Sequence, residues 1–321
     1  PILSFLAEES LVITQMIRNF KSNSYFFLFG IIIFYVSPGC IYSPNDRVDS
    51  LFNIYEGVQY FYDLKRPDET HLMPDKLEEI SGISYVDGVH LVCVEDEHGY
   101  VYNYDLMLKD FTPEWKFSGD GDYEDVLYHE DSVYVLESDG DIYQFHYSKS
   151  GAADAVKYEN RLSTKNDTEG LGFDPIEKNL LIACKEKIDL DGKETDGWNV
   201  YSFDLSTKTI LEKPFYTLTS SQLKSFFEAN RDFEYEEERI VVKPSAIAFN
   251  PLDSHFYILV SVGKMIVVID QEKNIKATYS IPEKLLKQPE GITFSPSGEL
   301  WISSEGVDGP GRILSFKPQT K

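Results

Sequence analysis

The clearest strand pair in the chain reads Gln288-Pro289-Glu290-Gly291-Ile292-Thr293-Phe294, a turn at Ser295-Pro296-Ser297-Gly298, then Leu300-Trp301-Ile302-Ser303. Apolar residues alternate on both sides of a Pro/Gly turn, the pattern of two antiparallel strands that each bury one face. The opening phrase is a small or acidic residue, a small residue, then an apolar strand ending in an aromatic. It occurs four more times, as Ser81-Gly82-Ile83-Ser84-Tyr85, Glu124-Asp125-Val126-Leu127-Tyr128, Glu169-Gly170-Leu171-Gly172-Phe173 and Ser245-Ala246-Ile247-Ala248-Phe249. The starts at 81, 124, 169, 245 and 290 lie 43, 45, 76 and 45 residues apart. A second strand follows each turn, as in His90-Leu91-Val92-Cys93-Val94, and a third such as Tyr100-Val101-Tyr102-Asn103-Tyr104. A fourth, such as Glu114-Trp115-Lys116-Phe117, completes the unit.

Four short antiparallel strands per period of about 45 residues define the blade of a β-propeller. One such sheet cannot bury both faces, so neighbouring blades must cover one another and the ring must close. The phrases predict an all-β chain of five four-stranded blades. The 76-residue interval has room for a sixth, but reads instead as a loop over 185–198 and a helix over 220–229 capped by Thr219 or Ser220, followed by an acidic stretch over 232–238. The last unit shows only three strands, ending at Arg312-Ile313-Leu314-Ser315-Phe316. Val58-Gln59-Tyr60-Phe61-Tyr62 is a spare N-terminal strand able to supply the fourth.

Upstream of the repeats lies an address. Met16, Arg18 and Lys21 precede an apolar run over 25–36 that ends at Ser37-Pro38-Gly39-Cys40. This is the layout of a signal peptide, too short for an ordinary spanning helix. Gly39-Cys40 resembles a bacterial lipobox, in which the cysteine thiol is acylated. The expected organisation is an extension over 1–15 outside the mature protein, a lipoprotein-type signal over 16–40, a tether over 41–56 and a propeller over 57–317. Cys40 is thus the expected lipidation site, the alternatives being an uncleaved anchor or a plain secreted protein, and the protein is expected in the cell envelope, facing the periplasm or the exterior. Cys93 and Cys184 fall on second strands of non-adjacent blades, so buried free thiols are expected rather than a bridge.

Acidic residues number 54 against 30 basic ones, a formal charge of -24. Such a surface repels nucleic acid and anionic headgroups, and attracts cations. Because strands alternate in direction, the starts of first strands share one rim with the ends of second strands. That rim carries Glu95, Asp96, Glu97, Asp122, Glu124, Glu137, Asp139, Asp141, Glu169, Glu290 and Glu305. Glu124, Glu169 and Glu290 each open an innermost strand, with Ser81 and Ser245 at the equivalent places. Three carboxylates around one channel mouth repel one another and need protons, basic partners or a cation. One outcome is a calcium-type ion held by oxygen donors. The other is hydrogen bonding to the next blade's backbone, or pairing with Lys165, Lys243 or Lys287. The Asp120-Gly121-Asp122 and Asp189-Leu190-Asp191-Gly192 turns start like calcium loops but do not continue the pattern. GxSxG, HExxH, Gly-rich phosphate loops and paired-cysteine metal motifs are absent from the sequence.

These phrases resemble the SdiA-regulated family of bacterial β-propellers. The resemblance is strongest at Thr168-Glu169-Gly170-Leu171 and from Lys243 onward, above all at Gln288-Pro289-Glu290-Gly291-Ile292 and Leu300-Trp301-Ile302-Ser303-Ser304-Glu305. It implies an envelope-attached propeller linked to calcium, and for some members a phytase-like activity. If the chain is an enzyme, the expectation is a calcium-dependent phosphoester hydrolase, with Lys185, Lys187, Lys264 or Arg312 neutralising phosphate. A further alternative is a protein-binding platform presenting Leu223, Phe226 and Phe227 of the helix. Asp125 in place of a small residue, and Ser245-Ala246 in place of Glu-Gly, depart from a uniform ligand ring.

Overall fold

The computed structural model describes residues 53–148, 153–230 and 240–320. The expected extension, the signal segment with Cys40, the tether up to residue 52 and the acidic stretch over 232–238 lie outside the described residues.

Five sheets surround a common axis, each beginning with its innermost strand. Blade 1 comprises Ile80–Tyr85, His90–Glu95, His98–Asp105 and Asp110–Asp120. Blade 2 comprises Tyr123–His129, Ser132–Glu137, Ile142–His146 and Val156–Tyr158. Blade 3 has Thr168–Asp174, Asn179–Cys184 and Trp198–Asp204, with a fourth strand broken into Thr209–Ile210 and Tyr216–Leu218. Blade 4 runs through Pro244–Asn250, His255–Val260, Met265–Ile269 and Ile275–Ser280. Blade 5 runs through Pro289–Phe294, Leu300–Ser304 and Arg312–Phe316. Each innermost strand touches the innermost strands of the blades on either side, blade 5 meeting blade 1, so the ring is closed.

An N-terminal strand does complete blade 5, but it is Glu69–Leu72, antiparallel to Arg312–Phe316, and not the expected segment around Val58 to Tyr62. The reason is one of packing. In Glu69–Leu72 only His71 is buried, its Nδ1 3.0 Å from Tyr104 Oη, so the strand shows no apolar alternation to read. Val58 and Tyr62 are buried for another purpose, in the core between blades 4 and 5. There the Tyr62 hydroxyl donates to the Gly298 carbonyl at 2.6 Å and accepts from Asn250 Nδ2 at 2.9 Å. Tyr60–Phe61 pairs instead with Gln319–Thr320. The tether is also shorter than expected: Ile54–Tyr55 adds a fifth strand to blade 4 beside Ile275–Ser280.

The cores lie between blades, one per neighbouring pair. Trp115, Phe117, Tyr123 and Phe145 fill the space between blades 1 and 2, and Leu162, Leu171, Tyr201 and Phe203 that between blades 2 and 3. Helix α1, Ser220–Asn230, is the only α-helix among the described residues. Thr219 Oγ1 accepts from the Gln222 amide at 3.1 Å, and Gln222 Oε1 returns the bond to the Thr219 amide at 2.8 Å, a reciprocal cap. Leu223, Phe226 and Phe227 are buried in the core between blades 3 and 4, which removes them as a docking surface. Cys93 and Cys184 are buried free thiols, pushed above their ordinary range by burial.

Candidate functional site: a carboxylate-lined channel mouth

All five innermost strands share a local irregularity at the repeated phrase. Pairing with the second strand shifts between Ile80 and Ile83, Tyr123 and Asp125, Thr168 and Gly170, Pro244 and Ala246, and Pro289 and Ile292. Glu124, Glu169 and Glu290 are therefore bulge residues, left outside the ladder. A bulge re-aims a side chain that regular pairing would fix to one face of the sheet. The small residue that follows lets neighbouring strands approach. A Cβ on Gly170 would lie 2.7 Å from Ala246 Cα, and one on Gly82 would lie 2.4 Å from Asp125 Cα. Asp125, the departure from the small-residue rule, uses that proximity. It is buried, and its carboxylate accepts from the Leu171 amide of the next blade at 2.7 Å and from its own neighbour Val126 at 2.8 Å.

The three glutamates share one electrostatic environment. Burial, then repulsion by Glu169, Asp122 and Glu290, raises the Glu124 carboxyl well above the carboxylate range. Burial raises Glu169 too, opposed by Lys185, whose ammonium forms an ion pair with it. Glu290 is pushed up to about 8 by burial and by Glu169 and Glu305, against the pull of Lys185 and Lys264. The cluster continues outward. Glu305 is raised to about 7 by burial, Asp96, Glu79 and Glu169, and Asp96 to about 6 by burial, Glu79 and its acidic neighbours. Asp96 Oδ1 is buried without a hydrogen-bond partner among the described residues.

Sequence reasoning placed the three glutamates on one rim with Asp96, Asp122 and Glu305, but missed Glu79 and the bulge that directs the glutamates. Two residues before each ring position stand Glu79, Asp122, Asp167, Lys243 and Gln288. Each stands one residue before its innermost strand. Asp122 raises Glu124, Asp167 raises Glu169, and Glu79 raises Glu305 and Asp96.

The lysine that serves the cluster is Lys185, none of the three expected ones. Lys243 pairs with Glu186, Lys287 lies 3.7 Å from Asp308, and no contact places Lys165 at the mouth. The four basic residues expected to neutralise phosphate all have other partners. Lys185 holds Glu169, Lys187 sits 4.0 Å above the Trp198 ring, Lys264 donates to the Lys287 carbonyl at 2.5 Å, and Arg312 reaches the Leu285 carbonyl at 3.4 Å.

Among the described residues, the acidic group whose oxygens lie within 4.8 Å of one another is Glu137, Asp139 and Asp141. The channel glutamates do not approach that closely. At the tighter group Lys157 Nζ already sits 2.9 Å from Glu137 and 2.8 Å from Asp141, so an ammonium fills the place a metal would take. The channel cluster offers oxygen donors without thiol or imidazole and has like charges still unneutralised. Both properties fit a hard cation.

The fold and this cluster define a class: a five-bladed propeller with carboxylates carried on bulges at one end of its innermost strands. The chain belongs to the SdiA-regulated family, whose profile matches residues 68–316. No curated protein shows significant similarity to it. Among solved structures, the PQQ-bound aldose sugar dehydrogenase of Streptomyces coelicolor is similar over 82% of this chain and 100% of that one, at 12% identity and a TM-score of 0.51. A luciferin-regenerating enzyme is similar over 78% and 95%, at 14% identity and a TM-score of 0.45. At 12% identity the likeness to the dehydrogenase is one of fold alone.

Proposed function

We propose that this protein is an envelope-anchored propeller that binds a divalent cation, calcium by the character of its donors, at the channel mouth formed by Glu124, Glu169 and Glu290. The carrying observation is the unrelieved crowding of carboxyls there, extending through Glu305 to the unpartnered Asp96 oxygen. Burial and mutual repulsion favour the protonated form of Glu124 and Glu290 when no cation is near. A dication offsets the repulsion and displaces the protons, so binding and proton release are one event. Lys185 competes for Glu169 and sets a threshold for occupancy. Anchoring rests on the lipobox-like Gly39-Cys40, and the family resemblance joins the two parts of the reading.

Calorimetry with calcium on chelator-stripped protein tests the cation. The expected result is a binding heat that varies with the ionisation enthalpy of the buffer, and a higher melting temperature. No heat and no thermal shift would overturn it. Anchoring is tested separately: Cys40→Ala is expected to move the protein from the membrane to the soluble fraction, and an unchanged distribution would refute the lipid anchor.

A further inference from the structure

The end of the channel opposite the carboxylates is built differently. There, at or one residue before the ends of the five innermost strands, Tyr85, Tyr128, Phe173, Phe249 and Phe294 line a chamber of about 380 Å³. Two residues earlier on each strand, and so on the same side, Ile83, Val126, Leu171, Ile247 and Ile292 line it as well. The aromatic that closes each repeat phrase therefore contributes from every blade. Small-molecule sites are typically apolar chambers of about this size with few polar groups.

The charge around this chamber is predominantly negative. Glu130 is the charged side chain among its lining residues, which include neither lysine nor arginine. His129 also lines it, with its ring 3.7 Å from that of Phe173 and nearly parallel; burial lowers its proton affinity and favours the neutral form. The turns joining first to second strands at this rim carry Asp87, Glu130, Asp131, Glu177, Asp253 and Glu299 against one lysine, Lys178. An aromatic face is the negative side of a quadrupole, so aromatic walls and carboxylates attract the same ligand: a positive charge carried on an apolar body. Anions are repelled, and a bare metal ion would give up its hydration for walls with few oxygen donors.

We propose that this chamber binds a small organic cation, of the quaternary or aromatic ammonium class. Its walls supply stacking and cation–π attraction, and the surrounding acids add longer-range attraction. The site is independent of the carboxylate mouth.

The test compares phenyltrimethylammonium with tert-butylbenzene, its neutral isostere, by ligand-observed NMR and competition calorimetry on the intact chain. The cation is expected to bind at least tenfold tighter than the isostere. Phe173→Ala and Glu130→Lys are each expected to weaken it at least fivefold, the second effect shrinking in high salt. Glu130 is exposed, so Glu130→Lys keeps the test informative if Phe173→Ala fails to fold. Equal affinity for cation and isostere would show an apolar trap and overturn the proposal. So would binding of neither probe, or binding unchanged by Glu130→Lys in low salt. Calcium heats at the opposite mouth are measured on the same samples, which separates failure of this site from failure of that one.

Discussion

Replacing Glu290 by glutamine removes one charge from the channel mouth while keeping its size. The Glu290 carboxyl stands at about 8 in the folded protein against an ordinary 4.5, through burial first and then repulsion by Glu169 and Glu305, with Lys185 and Lys264 opposing. At about 1.4 kcal/mol per unit, the full shift corresponds to on the order of 5 kcal/mol once the group is ionised. The side chain is half-buried, so solvent screening and local relaxation bring this to roughly 1–2 kcal/mol. The sign follows from proton counting. Between pH 4.5 and about 8 the folded, cation-free protein holds a proton that the unfolded chain has lost. Stability therefore falls as pH rises through that window and is lowest above it. Glu290→Gln has no proton to lose, so its stability should decline less. In chelator at pH 9 it should melt about 2–8 °C above the wild type, at roughly 2–4 °C per kcal/mol for a domain of this size. Calcium should reverse the order, raising the wild type more than the variant because glutamine offers one neutral oxygen where the carboxylate offered charge. Scanning calorimetry from pH 5 to pH 9, with chelator or with calcium, measures all four cases. A variant that melts no higher than the wild type at pH 9 in chelator, or equal calcium shifts for both proteins, would refute the reasoning.

Two further predictions concern the ring itself. Gly82→Ala should destabilise by about 2 kcal/mol or more in denaturant titration, because its Cβ meets the backbone of Asp125 in the next blade, whereas a matched Gly88→Ala, whose Cβ would meet only the Tyr85 hydroxyl at 4.0 Å, should cost far less. A chain beginning at residue 67 should keep its folded circular-dichroism spectrum but melt well below the full chain, having lost Ile54–Tyr55, Tyr60–Phe61 and the buried Val58, Tyr62 and Leu64. One beginning at residue 74 should lose that spectrum, because it lacks the Glu69–Leu72 strand that completes blade 5; native-like cooperative melting of the shorter chain would disprove that role.

The propeller was legible in the sequence because each blade repeats its own local physics: alternation, a Pro/Gly turn, alternation again. Pairing within a blade is between neighbours in sequence, so phrases at 81, 124, 169, 245 and 290 were enough to predict five sheets and to read the surplus length of the 76-residue interval as a loop and α1. The same register placed Glu124, Glu169 and Glu290 at equivalent positions around the ring.

Contacts between segments far apart in the chain needed the tertiary structure. Glu69–Leu72 closes the ring through backbone hydrogen bonds while burying one side chain, and backbone pairing leaves no hydrophobic period to read. Val58 and Tyr62 are buried as deeply as strand residues, yet they fill a gap between two blades. Which lysine answers Glu169 depends on side-chain reach across a rim and not on spacing, and it is Lys185. The five bulges depend on how closely neighbouring inner strands pack at the axis. They direct the carboxylates at one end of the channel, and the aromatics gather at the other only once the ring has closed.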